Sequence, residues 1–195
     1  MTISGASDQL QATREALAAN YLVAIVIIYL LLVAIFTHWG YPLLIMTTIP
    51  LGVAGGILGL WLFNLGGQWL PLIGLNELHL SFDMIAMLGF LILMGTVVNN
   101  PILIVHQAMT NVRDTGMNAL DAVRHAVDAR IRPIAMSTLT TVFGLAPLVF
   151  LAGEGTELYR GVGVIVMFGL LGTAIVSLTF LPALTVMVLK LSKPE

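Results

Sequence analysis

Two groups of polar residues stand inside long apolar stretches, and they are the residues best placed to do chemistry. Asn99 and Asn100, followed by Pro101, lie in the stretch 84–111, which contains no Asp, Glu, Lys or Arg. Proline lacks a backbone N–H and crowds the preceding turn, so we predict a kinked or unwound helix at Pro101. An amide in hydrocarbon must bond to a neighbouring helix or line a polar path. Composition leaves both of these hypotheses open.

The second group follows the sequence RIRP. Arg130, Ser137 and Thr141 fall on one face of a helix at i, i+7 and i+11. An arginine at the foot of a hydroxyl stripe suits a path for protons or water. The alternative is an interfacial arginine whose neighbours bond back to the helix backbone through their hydroxyl groups. Spacing alone favours the alternative.

The composition indicates a membrane protein that must position these groups on transmembrane helices. Of its 195 residues, 58% are hydrophobic and only 9% are charged, whereas a soluble domain is about a quarter charged. Runs of about 20 apolar residues mark membrane spans. They predict five transmembrane helices, at 18–37, 41–64, 84–105, 133–151 and 162–189. The fold class is therefore all-α integral membrane, and residues 1–17 form a polar lead-in outside the membrane.

Two of these spans carry special features. The last span is longer than a bilayer needs, so we expect it to tilt, protrude or break near Pro182. The second span contains two overlapping GxxxG patterns, which allow another helix to approach closely. The alternative is that glycine is simply frequent in transmembrane helices. The glycines concerned are Gly52, Gly55, Gly56 and Gly59.

The connection 106–132 has its own helical pattern. Apolar residues recur at 119, 123, 126 and 127, and charged residues occupy the opposite face. This pattern predicts an amphipathic helix lying on the cytoplasmic membrane surface. Pro133 is then suited to the first turn of the fourth span.

The positive charges predict the orientation. Six of the eight Lys and Arg residues lie between spans three and four or after span five, and two lie on the opposite side. Because cytoplasmic loops are enriched in Lys and Arg, we expect a periplasmic N-terminus and a cytoplasmic C-terminus. The first residues lack the positive region of a signal peptide. An odd number of spans in this orientation suggests that a segment is missing upstream.

Several functions are disfavoured by what the sequence lacks. With no cysteine, it has no disulfide or thiolate metal site. It contains no HExxH motif, no Ser/His/Asp arrangement and no glycine loop suited to phosphate. We therefore predict neither an enzyme nor a bound cofactor or metal. The absence of a basic cluster disfavours nucleic acid as a partner.

Four segments resemble one known family. PLLIMTTIPLG (42–52), GTVVNNPILIV (95–105), RIRPIAMST (130–138) and GVGVIVMFGLLGTAIVSLTFLPALTVMVL (161–189) are similar to the C-terminal membrane half of resistance-nodulation-division (RND) efflux permeases. The resemblance covers almost the whole chain. The permeases that it resembles are exporters of the hydrophobe/amphiphile or heavy-metal type. The spacing of RIRPIAMST from VVNNPILIV is the most specific part of the resemblance.

The resemblance implies a function and a set of site residues. RND permeases are inner-membrane trimers driven by proton influx, and they act with a periplasmic adaptor and an outer-membrane channel. Arg130 matches the arginine of their proton relay, Ser137 stands at its threonine, and Asn99 stands where drug exporters have lysine. With Asn100 and Thr141, these residues are the relay candidates. The relay's two aspartates lie on a span that has no counterpart here.

We therefore expect a portion of a permease, truncated or separately encoded, that is inactive without the missing N-terminal half. Its substrate in the complete pump would be a drug, a metal or another toxic compound. The alternatives are a non-transporting membrane scaffold or remnant, and a small self-assembling channel.

Overall fold

The described part of the chain is almost entirely helical. The computed structural model describes residues 4–68, 80, 82–151 and 153–191, and within them it has seven helices and no strand. The helices are α1 (Ser4–Phe36), α2 (Gly40–Met46), α3 (Thr48–Gly67), α4 (Met84–Val97), α5 (Asn99–Thr115), α6 (Ala119–Phe150) and α7 (Glu154–Leu191). The all-α prediction is confirmed.

Five segments of the described chain are long and apolar enough to cross a membrane, as the sequence predicts. They extend over Gln11–Phe36, Gly40–Gly67, Met84–Thr115, Ala119–Phe150 and Gly155–Leu191. All five continue past the predicted span at one end or at both ends. An apolar run marks only the part of a helix suited to hydrocarbon, whereas the backbone hydrogen bonds of a helix continue equally well beyond it.

Two of these five segments are interrupted, and proline explains where. α2 and α3 meet at Thr47, while α4 and α5 meet at Val98. In both cases the earlier helix ends four residues before a proline, Pro50 or Pro101. A proline has no N–H to donate to the carbonyl four residues back, so the helix loses a hydrogen bond at that point. The interruption at Val98 lies directly before the asparagine pair.

The region around Pro133 differs from the prediction. α6 is continuous from Ala119 to Phe150, so Pro133 lies inside this helix rather than in its first turn, and no separate surface helix precedes it. The apolar face expected to contact the membrane surface is covered by the chain itself, because Val123 and Ala126 are buried in the core with residues of α5 and α7. Packing of this kind keeps a proline-containing helix continuous.

α7 is the central helix of the bundle. It packs most extensively against α3, α4 and α6, and it contributes the fully buried Ile165 and Leu181 to the core. It does not break at Pro182. Its 38 residues span roughly 57 Å at the rise of an α-helix, whereas a bilayer with its head groups is about 40–45 Å thick. A helix of this length must tilt or protrude.

Glycines form the contact between α3 and α7. A Cβ atom added to Gly59 would lie 2.1 Å from the Cβ of Phe168, and one added to Gly172 would lie 3.3 Å from the Cα of Gly55. At such distances the two helix backbones approach closely because side chains are absent between them. Atoms of α7 are the nearest neighbours, or among them, at all four glycines of the sequence pattern: Gly52, Gly55, Gly56 and Gly59.

The first helix and the second half of α6 leave broad apolar faces uncovered. α1 buries Leu32 and Phe36, and Tyr21 donates a hydrogen bond to the carbonyl of Met87. The rest of its membrane segment is largely exposed. On α6, Met136 is 71% exposed. These faces suit lipid or further helices.

Candidate functional site

A cavity of about 590 Å³ between α4, α5, α6 and α7 contains most of the polar residues that the sequence identifies. The interruption at Val98 brings the start of α5 to this cavity, and the second half of α6 forms the facing wall. We call its six polar residues the polar seam: Thr96, Asn99, Asn100, Ser137, Thr138 and Thr141.

The two asparagines of the polar seam have free hydrogen-bonding groups. Asn100 is 5% exposed, and Asn99 is exposed. Neither side chain has a hydrogen bond to another residue in the described part of the chain. The amides are therefore available to bind a group from outside the described residues.

Three of the four hydroxyl groups of the polar seam are bonded to their own helices. Ser137 Oγ donates to the carbonyl of Ile134 at 3.1 Å, and Thr141 Oγ1 donates to the carbonyl of Ser137 at 2.9 Å. Such bonds use the proton of each hydroxyl and leave its oxygen free to accept. Thr138 Oγ1 is buried and has no partner among the described residues. The geometry is that of the alternative hypothesis, in which the hydroxyls bond back to the backbone.

The polar seam has no group that can carry a proton near neutral pH. None of the described residues that line the cavity is Asp, Glu, His, Lys or Arg. The described chain also contains no group of three or more His, Cys, Asp or Glu residues able to hold a metal ion. The seam can accept and donate hydrogen bonds, but any titrating group must come from elsewhere.

Arg130 lies outside this cavity and bonds to α5. Its Nη2 donates to Gln107 Oε1 at 2.8 Å, and Gln107 Nε2 donates to Asn111 Oδ1 at 3.1 Å. Asn111 Nδ2 then donates to the carbonyl of Ala122 at 3.0 Å. This amide chain, Gln107 and Asn111, joins α5 to α6 at two points. The Nε of Arg130 is buried, and no residue in the described part of the chain accepts from it.

The predicted site residues therefore fall into two places. The cavity brings together Asn99, Asn100, Ser137 and Thr141. Arg130 precedes Ser137 by seven residues, which is about 10 Å along the helix axis. Gln107 and Asn111 were not identified from the sequence. Their i,i+4 spacing on one helix face is the signal that could have indicated them.

Comparison with known proteins identifies relatives over nearly the whole chain. The profile of the AcrB/AcrD/AcrF family matches residues 1–189. The multidrug resistance protein MdtC of Edwardsiella ictaluri is 33% identical over 181 residues, which are 93% of this chain and 16% of that protein. MdtC of Proteus mirabilis is 32% identical over the same shares. MdtC of Pantoea ananatis is 30% identical over 194 residues, which are 100% of this chain and 18% of that protein. The chain thus spans less than a fifth of the length of these relatives.

Proposed function

Because the chain belongs to the AcrB/AcrD/AcrF family of RND efflux permeases, we propose that it forms the C-terminal membrane portion of a proton-driven pump and does not transport alone. The observation that carries this proposal is the polar seam, which has open amide groups but no group that titrates near neutral pH. A proton-coupled cycle requires such a group. We infer that a helix outside residues 1–195 supplies it.

The chemistry of the polar seam suits a carboxyl partner. The amides of Asn99 and Asn100 can donate to a carboxylate and accept from a protonated carboxylic acid. The hydroxyl oxygens of Ser137 and Thr141 can accept from a protonated acid, because their own protons are already used. The seam can therefore distinguish the two protonation states of a partner by reorienting side chains.

Asparagine in place of lysine at position 99 changes how tightly a partner carboxyl group binds its proton. A cation beside a carboxyl group stabilises its ionised form, and a neutral amide does so less strongly. The partner carboxyl group should therefore bind its proton more tightly here than in exporters with lysine at this position. Arg130 then supplies a positive charge on the same face of α6 as Ser137, held toward α5 by Gln107.

The proposal includes an assembly and an orientation. The chain is a multi-pass membrane protein, and we place it in the bacterial inner membrane with a periplasmic N-terminus and a cytoplasmic C-terminus. In the complete pump it is part of a trimer that works with a periplasmic adaptor and an outer-membrane channel. The relatives named multidrug resistance proteins favour drugs as the exported compounds.

Drug-dependent proton efflux from everted membrane vesicles tests the proposal, because eversion places the periplasmic face of the membrane inside the vesicle. The chain is expressed alone, and also joined to the N-terminal remainder of MdtC from Edwardsiella ictaluri. The same N-terminal remainder joined to MdtC's own C-terminal portion serves as the positive control. Immunoblotting of the membranes checks that each protein is inserted. We expect drug-dependent proton efflux only from the joined protein.

The same experiment separates the competing hypotheses. A self-assembling channel would dissipate the proton gradient when expressed alone, without a drug. A non-transporting scaffold or remnant would give an inserted but inactive joined protein. Either result would exclude the proposed function.

A further inference from the structure

A second cavity lies at the end of the bundle where α3 and α6 finish and α7 begins. It has a volume of about 400 Å³, and its walls are mostly apolar, with Phe63, Val149 and Phe168 among them. Gly66 forms part of the wall contributed by α3. Arg160 is the one charged side chain among the described residues that line it. An apolar cavity with one cation suits a ligand that is both apolar and anionic.

The burial of Arg160 is energetically unusual. The residue is only 5% exposed. Its Nη2 donates to the carbonyl of Leu151 at 3.0 Å, but its buried Nε has no acceptor within the ranges that the structure describes. No carboxylate in the described part of the chain pairs with it. A charge removed from water without a counter-ion costs several kcal/mol, so the site favours binding of an anion.

We propose that this cavity binds one acyl chain of an anionic phospholipid, whose phosphate contacts Arg160. A guanidinium offers paired N–H donors that match two phosphate oxygens. An apolar cavity of about 150 Å³ accommodates benzene, so about 400 Å³ holds on the order of 16 carbon atoms, the size of one acyl chain. This inference does not depend on the proposed transport function.

The position of the cavity supports a lipid as its occupant. Arg160 lies in the second turn of α7, close to the ends of α3 and α6. Charged side chains near the ends of transmembrane helices lie at head-group level. A lipid in this position places its phosphate beside Arg160 while its chain fills the space between α3, α6 and α7.

Native mass spectrometry of the 195-residue chain in detergent tests the role of the charge. The chain is titrated with phosphatidylglycerol or phosphatidylcholine, both with 16-carbon chains. We expect a Kd at least fivefold lower for phosphatidylglycerol, because the choline head group carries its own cation. Arg160→Gln should reduce this preference to less than twofold. Arg132→Gln, which removes an exposed arginine, should leave it unchanged.

A second pair of variants tests the cavity itself. Gly66→Leu should fill it, because a Cβ atom at Gly66 meets no atom within 4 Å. We expect its affinity for both lipids to fall at least fivefold. Gly144 has equally open surroundings but does not line the cavity, so Gly144→Leu is the matched control. If Arg160→Gln does not fold, this pair decides the question.

Four results would overturn the inference. The first is equal binding of the two lipids by the unmodified chain, and the second is an unchanged preference in folded Arg160→Gln. The third is unchanged lipid binding by Gly66→Leu. Inorganic phosphate is added in a separate titration. If it displaces phosphatidylglycerol at equal concentration, Arg160 binds free phosphate and the acyl chain contributes nothing.

Discussion

Replacing Gly59 by alanine should disrupt the contact between α3 and α7 more than the same substitution at Gly52, Gly55 or Gly56. The added Cβ would lie 2.1 Å from the Cβ of Phe168, whereas carbon atoms pack at about 3.5–4.0 Å. The Cβ of Phe168 is fixed to the backbone of α7, so rotation of the phenyl ring cannot relieve the overlap. One of the two helices must move by roughly 1.5 Å.

The expected magnitude follows from two opposing effects. Overpacking costs about 1–3 kcal/mol, and the strongly fixed geometry at Gly59 favours the upper end of that range. Alanine in place of glycine gains up to about 1 kcal/mol of helix propensity. We therefore expect Gly59→Ala to lower the free energy of unfolding by about 1–2 kcal/mol. Gly144→Ala, in open surroundings, should gain up to about 1 kcal/mol.

Equilibrium unfolding in mixed micelles of increasing dodecyl sulfate fraction, followed by circular dichroism, measures this difference. Gly55→Ala provides a further comparison, because its added Cβ would meet its nearest atoms at 3.4–3.6 Å, an ordinary contact distance. It should resemble Gly144→Ala within about 0.5 kcal/mol. The reasoning fails if Gly59→Ala is as stable as Gly144→Ala, or if Gly55→Ala is the more damaging variant.

Three further predictions follow from hydrogen bonds outside the polar seam. Gln107→Leu removes the acceptor of Arg130, and it should cost about 1.5–3 kcal/mol in the same unfolding assay; in the double variant with Arg130→Met the loss should be less than additive. Asn64 bonds to both the N–H and the carbonyl of Leu80. Asn64→Leu should therefore speed amide hydrogen exchange at Leu80 by about 10-fold, equivalent to about 1.4 kcal/mol. An unchanged exchange rate would show that Asn64 does not hold Leu80 in place. Asp83 caps α4 through the N–H of Ala86 at 2.7 Å; Asp83→Ala should cost about 1 kcal/mol of unfolding free energy, whereas Asp83→Asn should retain most of it.

The sequence predicted the helices well because membrane insertion imposes a simple rule. Apolar runs without charge had to become helices, and all five appear in the structure. The glycine pattern at 52–59 predicted close packing but not its partner. The partner is α7, where Gly172 faces Gly55. Nothing in the local pattern of α3 indicates which of several apolar helices it will contact.

Contacts between distant residues could not be predicted in the same way. The bond from Arg130 to Gln107 joins residues 23 positions apart and requires the first part of α6 to pack against α5. The preference of proline for the first turn of a helix predicted a helix start at Pro133. Packing of Val123 and Ala126 in the core instead favours a helix that begins earlier and continues through Pro133. From the sequence, the charge of Arg160 indicates only the orientation of the chain. Its burial could not be predicted, because it depends on the ends of α3 and α6.

Thiol labelling tests most directly the central claim that a helix from outside residues 1–195 covers the polar seam. The chain has no cysteine, so Ser137→Cys introduces a single thiol at an exposed position of the seam. It is labelled with N-ethylmaleimide in the chain alone and in the protein joined to a cysteine-free N-terminal remainder of the Edwardsiella ictaluri relative. Asp121→Cys, exposed at the start of α6, is the control. The account predicts that joining slows labelling of Ser137→Cys at least tenfold and leaves Asp121→Cys unchanged. Equal labelling of Ser137→Cys in both proteins would contradict it.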